Sequence, residues 1–173
     1  TRLEKISPTI KYLLKRQAKI ILISHMGRPN QNNKESLSLK TLSSKISAYI
    51  NSEIVFIEDD IINIKKDKIE KAFNNCNVIL LENLRFFEQE ASNDDSFSKK
   101  LSSFADIYVN ESFSTSHRKH SSIVGIPKFL PSFPGMLLEK EVLSLKKLIT
   151  NANYSSAVAV FGGSKVSTKI KVI

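Results

Sequence analysis

The chain has 173 residues, 41% of them hydrophobic, enough for one domain with a real core and marginal for two. No apolar run approaches the roughly 20 residues that span a bilayer, so no membrane partner is expected, and the single cysteine, Cys76, excludes an internal disulfide or a multi-cysteine zinc site. The net charge of +9 comes from lysines scattered over predicted helix surfaces, with no basic block and no interleaved aromatics, so nucleic acid is not an expected partner either.

The opening Thr1-Arg2-Leu3-Glu4-Lys5 has no signal-peptide core and no initiator Met. Together with one cysteine, this suits a cytoplasmic, reducing compartment and a chain cut from a longer one. Ser7-Pro8 predicts a helix start, with Ser as N-cap and Pro in the first turn. Ile10, Leu13 and Leu14 continue it as one apolar stripe. Residues 19–24 read as a buried strand and 27–37 as a polar loop. Leu39, Leu42, Ile46 and Ile50 predict a second helix. Ile54 to Ile57 is a strand, residues 66–74 a short helix, and Asn77 to Leu81 a strand. Asn93-Asp94-Asp95 begins a helix carrying Phe97, Leu101 and Phe104. Asp106 to Val109 is a strand, and residues 110–134 a long loop. Leu137, Leu138, Val142, Leu145 and Leu148 mark a longer helix. Ala157 to Phe161 predicts a last strand, turning through Gly162-Gly163-Ser164-Lys165 into a final helix.

Helices alternating with buried apolar strands imply βαβ units. The expected class is α/β, a doubly wound, Rossmann-like parallel sheet that is incomplete. Residues 1–134 would form one domain, 135–152 a connecting helix, and 153–173 the first βα unit of a second α/β domain. One strand and one helical turn cannot bury a core of their own.

Only five of the 26 Lys and Arg side chains are arginines. Arg28, Arg85 and Arg118 each follow a strand-like apolar run. Guanidinium forks match carboxylate and phosphate groups, and in open parallel sheets the carboxyl ends of the strands face one ligand crevice. These positions point to a pocket for a small, highly anionic substrate.

Four motifs sharpen that reading. They are His25-Met26-Gly27-Arg28-Pro29; Leu81-Glu82-Asn83-Leu84-Arg85-Phe86; Glu111-Ser112-Phe113 through His117-Arg118-Lys119-His120; and Gly162-Gly163-Ser164-Lys165-Val166-Ser167-Thr168-Lys169. With Arg2 ahead of Ser7-Pro8-Thr9-Ile10, they occur in the order and at the intervals found in phosphoglycerate kinases, and the whole chain resembles that family. The resemblance implies reversible phosphoryl transfer between 1,3-bisphosphoglycerate and ADP, giving 3-phosphoglycerate and ATP, with Mg²⁺ carried on the nucleotide. It implies that His25, Arg28, Arg85 and Arg118 hold the triose substrate, and that Arg2 reaches the transferring phosphoryl group. Lys165 would stabilise that group as it moves. Lys169, Gly162 and Gly163 would face the nucleotide phosphates. A monomer is expected.

Read alone, each residue has a plainer alternative. A single arginine is most often a surface group. His25 is expected to be a neutral hydrogen-bond donor, and His120 a structural residue bonding backbone. Glu111-Ser112 departs from the family's usual Asp-Ala. The resemblance also implies a first strand ahead of Thr1, and a glycine-rich loop and adenine pocket beyond Ile173. A gap or open edge in the sheet, mobility after about residue 153, and an inactive isolated chain are therefore expected. The rival readings are a non-catalytic anion-binding α/β module and an unrelated doubly wound nucleotide-binding protein.

Overall fold

A computed structural model describes residues 2–150. The expected strand at Ala157–Phe161, the Gly162–Lys165 turn, Lys169 and the expected mobility of this stretch lie outside the described residues. Contacts divide the chain into two compact units, Thr1–Glu141 and Val142–Ile173. Of the second, the described part is the end of one helix.

In the first unit, helices α1 (Arg2–Lys15), α2 (Lys40–Ile50), α3 (Lys66–Ala72), α4 (Glu88–Ser92) and α5 (Asp95–Ser102) and strands β1 (Ile20–Leu22), β2 (Val55–Ile57), β3 (Val78–Leu81), β4 (Tyr108–Asn110) and β5 (Ser132–Pro134) follow in the order α1, β1, α2, β2, α3, β3, α4, α5, β4, β5. Helix α6 (Met136–Thr150) closes the described chain. Every strand pairing is parallel: β3 lies between β1 and β2, and β4 pairs with β5.

The sheet is covered on both faces, and β3 shows why. Its four residues, Val-Ile-Leu-Leu, are all buried, and successive side chains point to opposite faces. Val78 and Leu80 pack with Ile10 of α1 and with Ile46 and Ile50 of α2. Ile79 and Leu81 pack with Ile69 of α3 and with Phe97 and Leu101 of α5. A continuous apolar run is what a strand buried on two sides requires.

Between β1 and β4 the two sheets do not meet. Ile20 to Ile23 and Ile107 to Asn110 instead line a cavity of about 1390 Å³.

Three local expectations are corrected. The first helix does not start at Ser7-Pro8; it begins at Arg2 and carries Pro8 inside it. Pro8 has no N–H to offer the Glu4 carbonyl, one turn back. The buried Ser7 hydroxyl donates to that carbonyl at 3.0 Å and replaces the lost bond. The stretch 110–134 is not an uninterrupted loop. It contains a π-helical turn at Ser121–Gly125 and ends in β5, whose proline and exposure suit an edge strand. Residues 88–92 form the short helix α4, unannounced by any periodic pattern.

Candidate functional site

Two loops leave the carboxyl ends of β1 and β3 side by side, and Asn83 joins them. This side chain is fully buried. Its Oδ1 accepts the N–H of Met26 at 3.2 Å and of Arg85 at 3.1 Å, and its Nδ2 donates to the carbonyls of Met26 and Leu37, each at 2.9 Å. The neighbouring Glu82 carboxylate takes the Ser38 hydroxyl at 2.7 Å and the Leu39 N–H at 2.9 Å. It thereby satisfies a free donor at the start of α2, where Leu39 cannot cap with its own side chain.

Within this frame Gly27 makes a left-handed turn, φ +63°. A side chain there would also strike Leu37, with an added Cβ 2.5 Å from Leu37 Cδ2. The turn presents the Gly27 carbonyl to Arg85, whose Nη1 donates to it. Arg28 follows on the exposed side of the turn.

Arg118 comes from the third loop, after β4. Its N–H is held by the Thr115 carbonyl at 2.9 Å. The Arg85 guanidinium is less basic than an ordinary arginine, first because of burial, then because of the positive charges of Arg118 and Arg28; Glu90 opposes them. Arg28 and Arg118, from two other loops, thus lie within electrostatic reach of Arg85. Such a grouping of guanidinium forks suits an anionic ligand.

Glu90 is the buried carboxylate behind the patch, 2% exposed. It accepts the Ser122 N–H at 3.0 Å and the Ser122 hydroxyl at 2.5 Å. His120 Nδ1 stands 3.6 Å from its Oε1. His25 is half-buried and lines the cavity beside β1. Arg2 is the first residue of α1. Lys165, Lys169, Gly162 and Gly163 lie beyond the described residues.

Sequence reasoning picked out the arginines because they are rare and follow strands. It gave no role to Glu82, Asn83 or Glu90. The first two sit inside a quoted motif, so the signal was present; Glu90, on a short helix without periodicity, offered none.

A sequence model of the phosphoglycerate kinase family matches residues 1–173. A phosphoglycerate kinase of Wolbachia sp. subsp. Drosophila simulans is 46% identical over 173 residues, and the cytosolic phosphoglycerate kinase of Triticum aestivum 45% over 174. Both alignments cover 100% of this chain and 43% of the relative. Among solved structures, phosphoglycerate kinase from Pyrococcus horikoshii OT3 superposes with a TM-score of 0.85 at 30% identity, over 98% of this chain and 43% of that one. The enzyme from Coxiella burnetii gives 0.76 at 31%, over 95% and 40%. Among the described residues no helix is long and apolar enough to cross a membrane. With its parallel α/β layers, its three-arginine patch and a family match along its whole length, this chain, which spans less than half of those relatives, belongs to the phosphoglycerate kinase family.

Proposed function

We propose that the whole protein carrying this chain transfers a phosphoryl group reversibly between 1,3-bisphosphoglycerate and ADP, giving 3-phosphoglycerate and ATP. The observation that carries this reading is that Arg28, Arg85 and Arg118 follow strand ends, with the Arg28 and Arg85 turns tied together by Asn83 and by the Arg85 bond to the Gly27 carbonyl, in a chain matched by the family along its length. Three cations gathered at strand ends suit a ligand with a phosphate at one end and a carboxyl or acyl phosphate at the other. Phosphoryl transfer needs alignment and charge neutralisation more than a protein nucleophile.

In this reading residues 1–134 form the triose-binding domain, 135–152 the connecting helix, and 153–173 the opening of the nucleotide domain. His25, Arg28, Arg85 and Arg118 bind the triose. Arg2 and Lys165 meet the migrating phosphoryl group, while Lys169, Gly162 and Gly163 face the nucleotide phosphates. Mg²⁺ arrives with the nucleotide and neutralises its charge. The protein is a cytoplasmic monomer, and the 173-residue chain alone does not turn over, because both substrates must be held in line in a site closed to water.

A coupled assay for ATP formation tests this. The whole protein should turn over at roughly 10–100 per second, and the isolated chain at a rate indistinguishable from background. A whole protein that binds 3-phosphoglycerate yet forms no ATP would favour an anion-binding module instead.

A further inference from the structure

The start of α6 is capped in an unusual way. The residue before it is Gly135, which has no side chain to offer its first N–H groups. Those donors are taken by two side chains from far away in the sequence. The Met136 N–H donates to Thr9 Oγ1 at 3.1 Å. The N–H groups of Leu137 and Leu138 each donate to Glu111 Oε2 at 3.1 Å. The Thr9 hydroxyl in turn donates to Glu111 Oε1. One carboxylate therefore ties together α1, the residue following β4, and the first turn of α6. Its charge also suits the positive end of a helix dipole.

Gly135 is part of the same device. A Cβ built on it would lie 2.1 Å from Glu111 Cδ. The carboxylate rests where a side chain at 135 would stand. Thr9, Glu111 and Leu137 line the same cavity as His25. Glu111 also opens the loop that runs to Arg118, while Thr9 lies on the helix that begins at Arg2. The two oxygens of Glu111 serve three donors.

We propose that Glu111 is a positioning residue for catalysis: its carboxylate locks the Arg118 loop and α1 to the first turn of α6, so that the triose-binding wall keeps one fixed geometry during transfer. Glu111 does not touch the substrate. Its effect falls on turnover, because displacing reacting groups by about 1 Å can cost on the order of 100-fold in rate. The inference rests on the kinase reading.

The test uses the whole protein in the coupled ATP assay, at a temperature well below each variant's unfolding midpoint. Glu111→Ala should lower kcat about 10- to 100-fold and leave the KM for 3-phosphoglycerate and for nucleotide within about threefold. Gly135→Ala, which keeps the carboxylate but occupies its seat, should reproduce much of that loss. Glu111→Gln, which retains one acceptor oxygen, should fall between Glu111→Ala and wild type. The double variant Glu111→Ala/Gly135→Ala should be no slower than Glu111→Ala alone, since both changes remove one interaction. A kcat for Glu111→Ala within about twofold of wild type, or losses that multiply in the double variant, would overturn the positioning role. A wild-type protein without any turnover would instead overturn the kinase reading, and this inference with it.

Discussion

Asn83 pairs with Met26 as one strand pairs with another. Its side-chain amide accepts the Met26 N–H and donates back to the Met26 carbonyl, at 3.2 and 2.9 Å. The two residues are 57 apart in the chain. This reciprocal pair holds the Gly27-Arg28 turn against the Arg85 turn, so the spacing of Arg28 and Arg85 depends on a buried amide.

Asn83→Ala should therefore damage both stability and binding. It strands the buried N–H groups of Met26 and Arg85 and the carbonyls of Met26 and Leu37. Urea unfolding of the chain should show a loss of about 2–4 kcal/mol. Asn83→Asp should fare no better, since it replaces two donors with a buried charge. A loss below about 0.5 kcal/mol for either variant would mean that the two turns are held by something else.

Arg85→Lys keeps the charge and loses the fork. Arg85 also donates to the Gly27 carbonyl, a bond a lysine cannot make while reaching the same anion. Affinity for 3-phosphoglycerate, followed by chemical-shift titration, should fall about tenfold, the value of one charge-assisted hydrogen bond. Binding by wild type should weaken with added salt. Equal affinity in wild type and in the triple variant Arg28→Ala/Arg85→Ala/Arg118→Ala would remove the patch from the site.

The same cluster should oppose folding slightly. Burial, Arg118 and Arg28 all hold Arg85 below its ordinary basicity. A cation whose pKa is lower folded than unfolded opposes folding while it is charged. That penalty fades only as pH rises through the folded value, well into the alkaline range. Near neutrality the penalty is constant, so pH should not tune it and an anion should. Arg118→Gln should raise unfolding stability by a few tenths of a kcal/mol, up to about 1. 3-Phosphoglycerate at ten times its dissociation constant should stabilise wild type by about 1.4 kcal/mol and the variant much less. Thermal unfolding at matched ionic strength measures both. If Arg118→Gln destabilises the chain, the three charges are not in conflict.

Lys165→Ala, made in the whole protein, addresses the transfer step. A lysine that meets the phosphoryl group chiefly in the transition state should lower kcat about 100-fold on removal with little change in either KM. A raised KM with kcat intact would assign Lys165 to ground-state binding.

Local chemistry along the chain determined much of this protein. The continuous apolar run of 78–81 marked a strand buried on both faces. Asp94 announced the helix it caps, accepting the Phe97 N–H at 2.8 Å. The rarity of arginine, and its place after strands, marked the three guanidinium groups that the fold brings within electrostatic reach. Such signals are local, because propensity, capping and burial periodicity act over a few residues.

Tertiary structure decided the rest. Ser7-Pro8 reads as a helix start in isolation, yet the helix runs through it, with Ser7 supplying the bond that Pro8 cannot. β5 contains a proline and three exposed residues, and exists because β4 lies alongside it. Glu111 meets Thr9 across 102 residues, Asn83 meets Met26 across 57, and Glu90 meets Ser122 across 32. Which buried carboxylate or amide finds which backbone donor is set by where the elements pack. The polar framework that aims the arginines therefore becomes visible only once the chain is folded.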